Sequence, residues 1–135
     1  MGLLVQKFGG TSLATDDARR HVLRHIVRER EAGYSVVVVV SAMGRMGDPY
    51  ATDTLLALAG GGHVPARERD LIASCGEVIS AVVLCGLLWA EGVPSVVLTG
   101  AQAGIRTDGR FGSARITRIE TEPVQRRLKE GAVVI

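Results

Sequence analysis

Five valines in a row, Val36 to Val40, constrain the fold more than any other stretch. β-branched side chains favour the extended backbone. A run without polar alternation predicts a strand covered on both faces, as in parallel sheets. The residues before it supply the rest of a βαβ unit. Leu3 to Phe8 reads as a strand and Gly9 to Ala14 as its exit loop. A helix follows from about Thr15 to Ala32. Thr15 is placed to cap it, Asp16 and Asp17 suit its positive end, and Gly33 stops it. Val22, Ile26 and their neighbours Leu23 and Val27 give it one apolar face. Two strands joined this way are expected to be parallel, with a right-handed crossover. Their carboxyl ends then share one sheet edge, where open α/β sheets bind ligands.

The same alternation continues downstream. Ser41 to Ala51 reads as a loop, Thr52 to Ala59 as a short helix, and Gly60-Gly61-Gly62 as its break. A long helix is expected from Pro65, as its first residue, to about Ala90. Its apolar face is assigned to Leu71, Ile72, Cys75, Ile79, Val82, Val83 and Leu87. Ser95 to Leu98 is a third strand and Thr99 to Gly104 its exit loop. Asp108-Gly109 signals a hairpin within Arg106 to Arg115, with Ile116 to Ile119 as a strand beside it. Pro123 to Glu130 is a helix. Gly131 to Ile135 reads as the start of a buried fourth strand, so the expectation is a chain cut inside its sheet. The fold class is α/β, a three-layer αβα sandwich with a mainly parallel sheet.

Composition removes some functions. The 135 residues suffice for one modest core. Aromatics are only 4%, too few for base-stacking surfaces. The net charge of +2 comes without a basic stripe, so nucleic acid is not an expected partner. No leader and no apolar run long enough for a bilayer is recognised, which gives a cytoplasmic expectation without a membrane partner. Cys75 and Cys85 lie on one helix about 15 Å apart along its axis, too far for a disulfide. They are expected to be buried free thiols. His21 and His25 have metal-ligand spacing, but no third ligand stands nearby, so they are expected to be solvated. His63 has no visible partner, and no metal site is expected.

Three loops therefore leave one edge: Lys7 to Ser12, Ser41 to Gly44 and Thr99 to Gly104. A lysine at a strand end, Gly9-Gly10, and then a helix can aim an ammonium and bare N–H groups at one phosphate. Glycines after strands also have a purely structural use, and a lysine there can simply snorkel. Both readings stand at this point. Glu77 follows Gly76, a glycine that admits close approach, within apolar surroundings. It can bind an ammonium, or it can pair with an arginine of this domain.

Together the residues resemble the aspartokinases of the amino acid kinase family. Val5-Gln6-Lys7-Phe8-Gly9-Gly10-Thr11-Ser12 resembles their N-terminal signature, and Val38 to Gly44 their second motif. Arg67 to Asp70 with Ser74-Cys75-Gly76-Glu77 is similar to their long helix. Leu98 to Gly104 resembles their third loop, and Ser113 to Ile116 the segment after the hairpin. The insert Gly47 to Asp53 is most like that of Bacillus-type members. The resemblance implies that Lys7, Phe8, Gly9 and Gly10 cradle the phosphates of ATP, with Ser41 nearby and Lys7 as the catalytic cation. Thr52 and Glu77 would hold L-aspartate, Glu77 by its ammonium. The implied product is 4-phospho-L-aspartate, at the first step of lysine, threonine and methionine biosynthesis. Mg2+ would ride on the nucleotide. Other acceptors within the family are glutamate, acetylglutamate or a nucleoside monophosphate, and a non-catalytic binding or assembly module is the alternative outside it.

The family pattern continues beyond what these residues contain. Its Ala-Gly-Phe-Gln-Gly loop, its Gly-Arg-Gly-Gly-Ser-Asp motif, its nucleotide-base half and its ACT domains have no counterpart here. Residues 1–135 thus correspond to the N-terminal part of one catalytic domain, with homo-oligomerisation expected of the full-length parent. The arginine of the absent motif would clamp the substrate α-carboxylate. The resemblance therefore implies little kinase activity for the 135 residues alone.

Overall fold

The computed structural model describes residues 2–135. Four parallel strands form its sheet in the order β1 (Leu3–Phe8), β2 (Ser35–Val40), β6 (Val133–Val134), β3 (Ser95–Val96). A separate antiparallel hairpin pairs β4 (Ile105–Thr107) with β5 (Ile116–Ile119). Between β1 and β2 run a single helical turn, α1 (Gly10–Leu13), and then α2 (Asp16–Glu31). α3 (Thr52–Leu58), a 3-10 turn at Gly61–His63 and the long α4 (Ala66–Ala90) join β2 to β3. α5 (Glu122–Lys129) leads into β6.

β1 and β2 pair in register from Leu3 opposite Ser35 to Phe8 opposite Val40. Parallel partners share a face, so Leu4, Gln6 and Phe8 lie with Val36, Val38 and Val40. α2 and α4 cover this face. Val22, Leu23 and Ile26 of α2, Leu84 and Leu88 of α4, and Val133 close the core around it. Each buried leucine contributes roughly 1.5–3 kcal/mol. From β3 the chain steps back to β6, so the right-handed crossover rule puts α5 on the opposite face. Val134, on that side of the central strand, is buried.

The structure corrects several expectations. The exit loop Gly9–Ala14 contains the helical turn α1. β2 is fully covered on one face and only partly on the other: Val36 and Val38 are 2% exposed, whereas on the opposite face Val37 is half-buried and Val39 is 45% exposed. Valine runs do not encode facing, because every position is equally apolar. Pro65 is the residue before α4, not its first. The apolar face expected for α4 is rotated. Gly76, Ser80, Ala81, Leu84 and Leu88 are buried, while Leu71 and Val82 face out. Cys75 lies on that outer side and is exposed, so it is not a buried thiol; Cys85 is half-buried against Ser95. α4 is also long and apolar enough to cross a membrane by length and composition, which the sequence reading missed. Asp108-Gly109 does not form a two-residue turn. Asp108 instead organises a long connection, its carboxylate accepting from the Arg110 and Arg115 N–H groups.

The local signals of α2 hold. The Thr15 hydroxyl accepts from the Ala18 N–H at 3.1 Å, and Gly33 ends the helix with φ +93°. His21 and His25 are exposed on it.

Candidate active site

The first two exit loops are laced together. The Ser41 N–H donates to the Phe8 carbonyl at 3.2 Å, and the Gly44 N–H donates to the Gly10 carbonyl at 2.9 Å. A Cβ on Gly10 would sit 2.5 Å from the Gly44 carbonyl oxygen and 2.7 Å from that of Ala42. Glycine is therefore required at position 10 for the loops to touch. α1 opens at Gly10; the Ser12 N–H turns back onto the Gly9 carbonyl at 3.1 Å, which leaves the N–H groups of Gly10 and Thr11 as the ones a helix start does not pair internally.

Arg19 braces this pair from behind. Its guanidinium donates to the Leu13 carbonyl at 2.6 Å and to Met43 Sδ at 3.5 Å, and it also pairs with Asp16. It thereby ties the end of α1 to the second loop. Sequence reasoning missed this role, since one arginine among several on α2 carries no distinguishing signal. Asp48 folds the second loop on itself, its carboxylate accepting from the Arg45 N–H at 2.8 Å.

α4 reaches the second loop through Gly76. A Cβ there would lie 2.7 Å from Ala42 Cβ, 3.1 Å from the Tyr50 carbonyl oxygen and 3.3 Å from Leu55 Cδ1. The helix thus presses on the loop and on the start of α3. Glu77 follows Gly76 directly and is half-buried. Thr52, the first residue of α3, follows the buried Ala51. Lys7 is exposed next to the end of β1, on the face it shares with Val39. It approaches the edge from the open side of the sheet, whereas α4 carries Glu77 on the covered side. Among the described residues neither Lys7 nor Glu77 takes part in an ion pair. The pairing of Glu77 with an arginine of this domain, one of its two possible uses, is not made.

The third loop stands apart. β6 lies between its strand and β2. Its polar groups satisfy one another, with the Thr99 N–H donating to Gln102 Oε1 at 2.9 Å and the Gln102 N–H to Thr99 Oγ1 at 3.3 Å. Two surface grooves lie elsewhere, one between the flank of α2 and Glu91 at the end of α4 and one at the amino edge of the sheet, and neither is lined by Lys7, Ser41, Thr52 or Glu77. Among the described residues no group of three or more His, Cys, Asp or Glu side chains is placed to hold a metal ion.

The sequence model of the amino acid kinase family matches residues 2–135. The chain belongs to the amino acid kinase family. Aspartokinase 1 of Bacillus subtilis is 51% identical over 124 residues, which cover 90% of this chain and 31% of that protein. The crystal structure of aspartate kinase from Synechocystis superposes with a TM-score of 0.80 at 39% identity, covering 98% of this chain and 21% of that one. E. coli aspartokinase III shares the fold, with a TM-score of 0.74 at 21% identity over 99% of this chain and 40% of its own. The chain spans about a third of the length of the curated relatives it matches.

Proposed function

We propose that the carboxyl edge of β1 and β2 is the phosphate and acceptor side of an aspartokinase site, serving ATP + L-aspartate → 4-phospho-L-aspartate + ADP. One observation carries this reading. The Gly10–Gly44 lacing and the Gly76 contact bring the segments bearing Lys7, Ser41, Thr52 and Glu77 to one edge. The likeness to aspartokinases over the whole chain supports the choice of acceptor.

The chemistry suits these groups. A carboxylate must approach an anionic γ-phosphate, so positive charge and pre-aimed N–H donors lower the barrier. Lys7 supplies the charge. Phe8, Gly9 and Gly10 supply the backbone of the turn, with Ser41 beside it. Glu77 receives the substrate ammonium, and Thr52 adds a hydroxyl. No general base is needed, because an aspartate side chain with a pKa of about 3.9 is already ionised at neutral pH. Magnesium carried on the nucleotide, a place at the head of lysine, threonine and methionine biosynthesis, a cytoplasmic setting and a homo-oligomeric parent belong to the same reading. They rest on the resemblance to aspartokinases.

The 135 residues are proposed to be the N-terminal part of one catalytic domain, holding half of the site. A coupled ADP-release assay tests this. With ATP and aspartate the isolated chain is expected to turn over far more slowly than a full-length aspartokinase. Turnover near that of the complete enzyme would overturn the half-site assignment. In the full-length parent, ADP release that requires glutamate, acetylglutamate or a nucleoside monophosphate instead of aspartate would overturn the acceptor.

A further inference from the structure

One arginine of α2 is used differently from its neighbours. The side chains of Arg20 and Arg28 stand 64% and 69% exposed, with carboxylates of their own helix as partners. That of Arg19 is only 16% exposed. Drawing a guanidinium out of water is unfavourable unless its donors are met, and two of its partners lie outside α2. Nη1 donates to the Leu13 carbonyl at 2.6 Å and to Met43 Sδ at 3.5 Å, while Nη2 pairs with Asp16. Leu13 closes α1, where a carbonyl finds no acceptor role within the helix itself. Met43 is buried and immediately precedes Gly44.

We propose that Arg19 is a positioning residue for the nucleotide phosphates. The inference rests on the proposed function, which assigns the Phe8–Gly10 turn to ATP. Two ties join the stretch from Gly10 to Leu13 to the second loop. At its start the Gly44 N–H donates to the Gly10 carbonyl at 2.9 Å. At its end Arg19 bridges Leu13 to Met43. With both ties made, the turn cannot pivot about the Gly10–Gly44 bond, and its distance from the Ser41 loop is fixed. Without Arg19 that one hydrogen bond remains as a hinge. Leu13 and Met43 also pack in the core, so losing the bridge loosens the turn without unfolding the chain. The donors of Arg19 are engaged within the protein, so it acts through the turn and not on the nucleotide. The site calls for arginine. A planar fork meets a carbonyl, a sulfur and a carboxylate together, whereas a lysine ammonium is a point charge.

Isothermal titration of the 135-residue chain with Mg-ATP and, separately, with L-aspartate tests the proposal. Arg19→Ala is expected to weaken Mg-ATP binding about tenfold or more and to leave aspartate binding unchanged. Arg19→Lys keeps the charge without spanning both partners, and is expected to recover only part of the loss. Met43→Leu keeps the bulk and removes the sulfur acceptor, so a smaller loss of the same kind is expected. These two variants carry the same comparison if Arg19→Ala does not fold. Arg20→Ala, which removes an equal charge from the next position, is expected to bind as the wild type does. Thr15→Ala weakens the same helix through its cap, and is expected to lower the unfolding midpoint with ATP affinity unchanged. Unaltered ATP affinity in Arg19→Ala, or full recovery in Arg19→Lys, would overturn the positioning role and leave the phosphate assignment standing. So would an equal loss in Arg20→Ala or Thr15→Ala. A wild-type chain that binds no Mg-ATP would instead overturn the phosphate assignment, and the positioning role with it.

Discussion

A glycine in the middle of a helix is unfavourable by about 1 kcal/mol relative to alanine, yet Gly76 sits within the 25 residues of α4. Its contacts account for it. A methyl at this position would meet Ala42 Cβ at 2.7 Å and a backbone oxygen at 3.1 Å. Neither neighbour has a flexible end that could swing aside. Overpacking of this kind costs about 1–3 kcal/mol and outweighs the gain in helix propensity. Gly76→Ala is therefore expected to lower stability by about 1–2 kcal/mol, read as a lower urea midpoint with an unchanged slope. A more stable variant would show that α4 does not press on the second loop. The value of Gly76 as a point of close approach was legible in the sequence from its position before Glu77. Arg19 was not, because its partners, Leu13 and Met43, are brought to it only by the tertiary fold.

Among the elements, those with end signals were the most legible. α2 has a capping hydroxyl, two acidic residues in its first turn and a glycine stop, and it forms where these place it. Thr15→Ala is expected to cost about 1 kcal/mol, measured by thermal or urea unfolding. A negligible change would mean that water replaces the cap without loss. α4 was legible in extent but not in orientation. Nearly every residue from Leu71 to Trp89 is apolar or small, so periodicity cannot choose a buried side. Close approach at Gly76, Ser80 and Ala81 chooses it instead. The valine run of β2 misled for the same reason, since alternation of facing is invisible when all positions are valine.

At the scale of the molecule, the parallel sheet and its shared carboxyl edge followed from strand, helix and valine run together. The place of β6 did not. A strand late in the chain that inserts between β2 and β3 is set by long-range pairing, which local sequence does not express. That insertion separates the third exit loop from the other two and leaves Lys7, Ser41, Thr52 and Glu77 on the segments gathered around the first and second. The division of labour among these residues is the central claim, and isothermal titration of the 135-residue chain tests it most directly. Wild-type protein is expected to bind Mg-ATP weakly. Lys7→Ala should weaken ATP binding about tenfold or more, a loss of about 1.4 kcal/mol or more, while leaving aspartate binding unchanged. Glu77→Ala should do the reverse. No ATP binding by the wild-type chain, or equal ATP affinity in Lys7→Ala, would contradict the account.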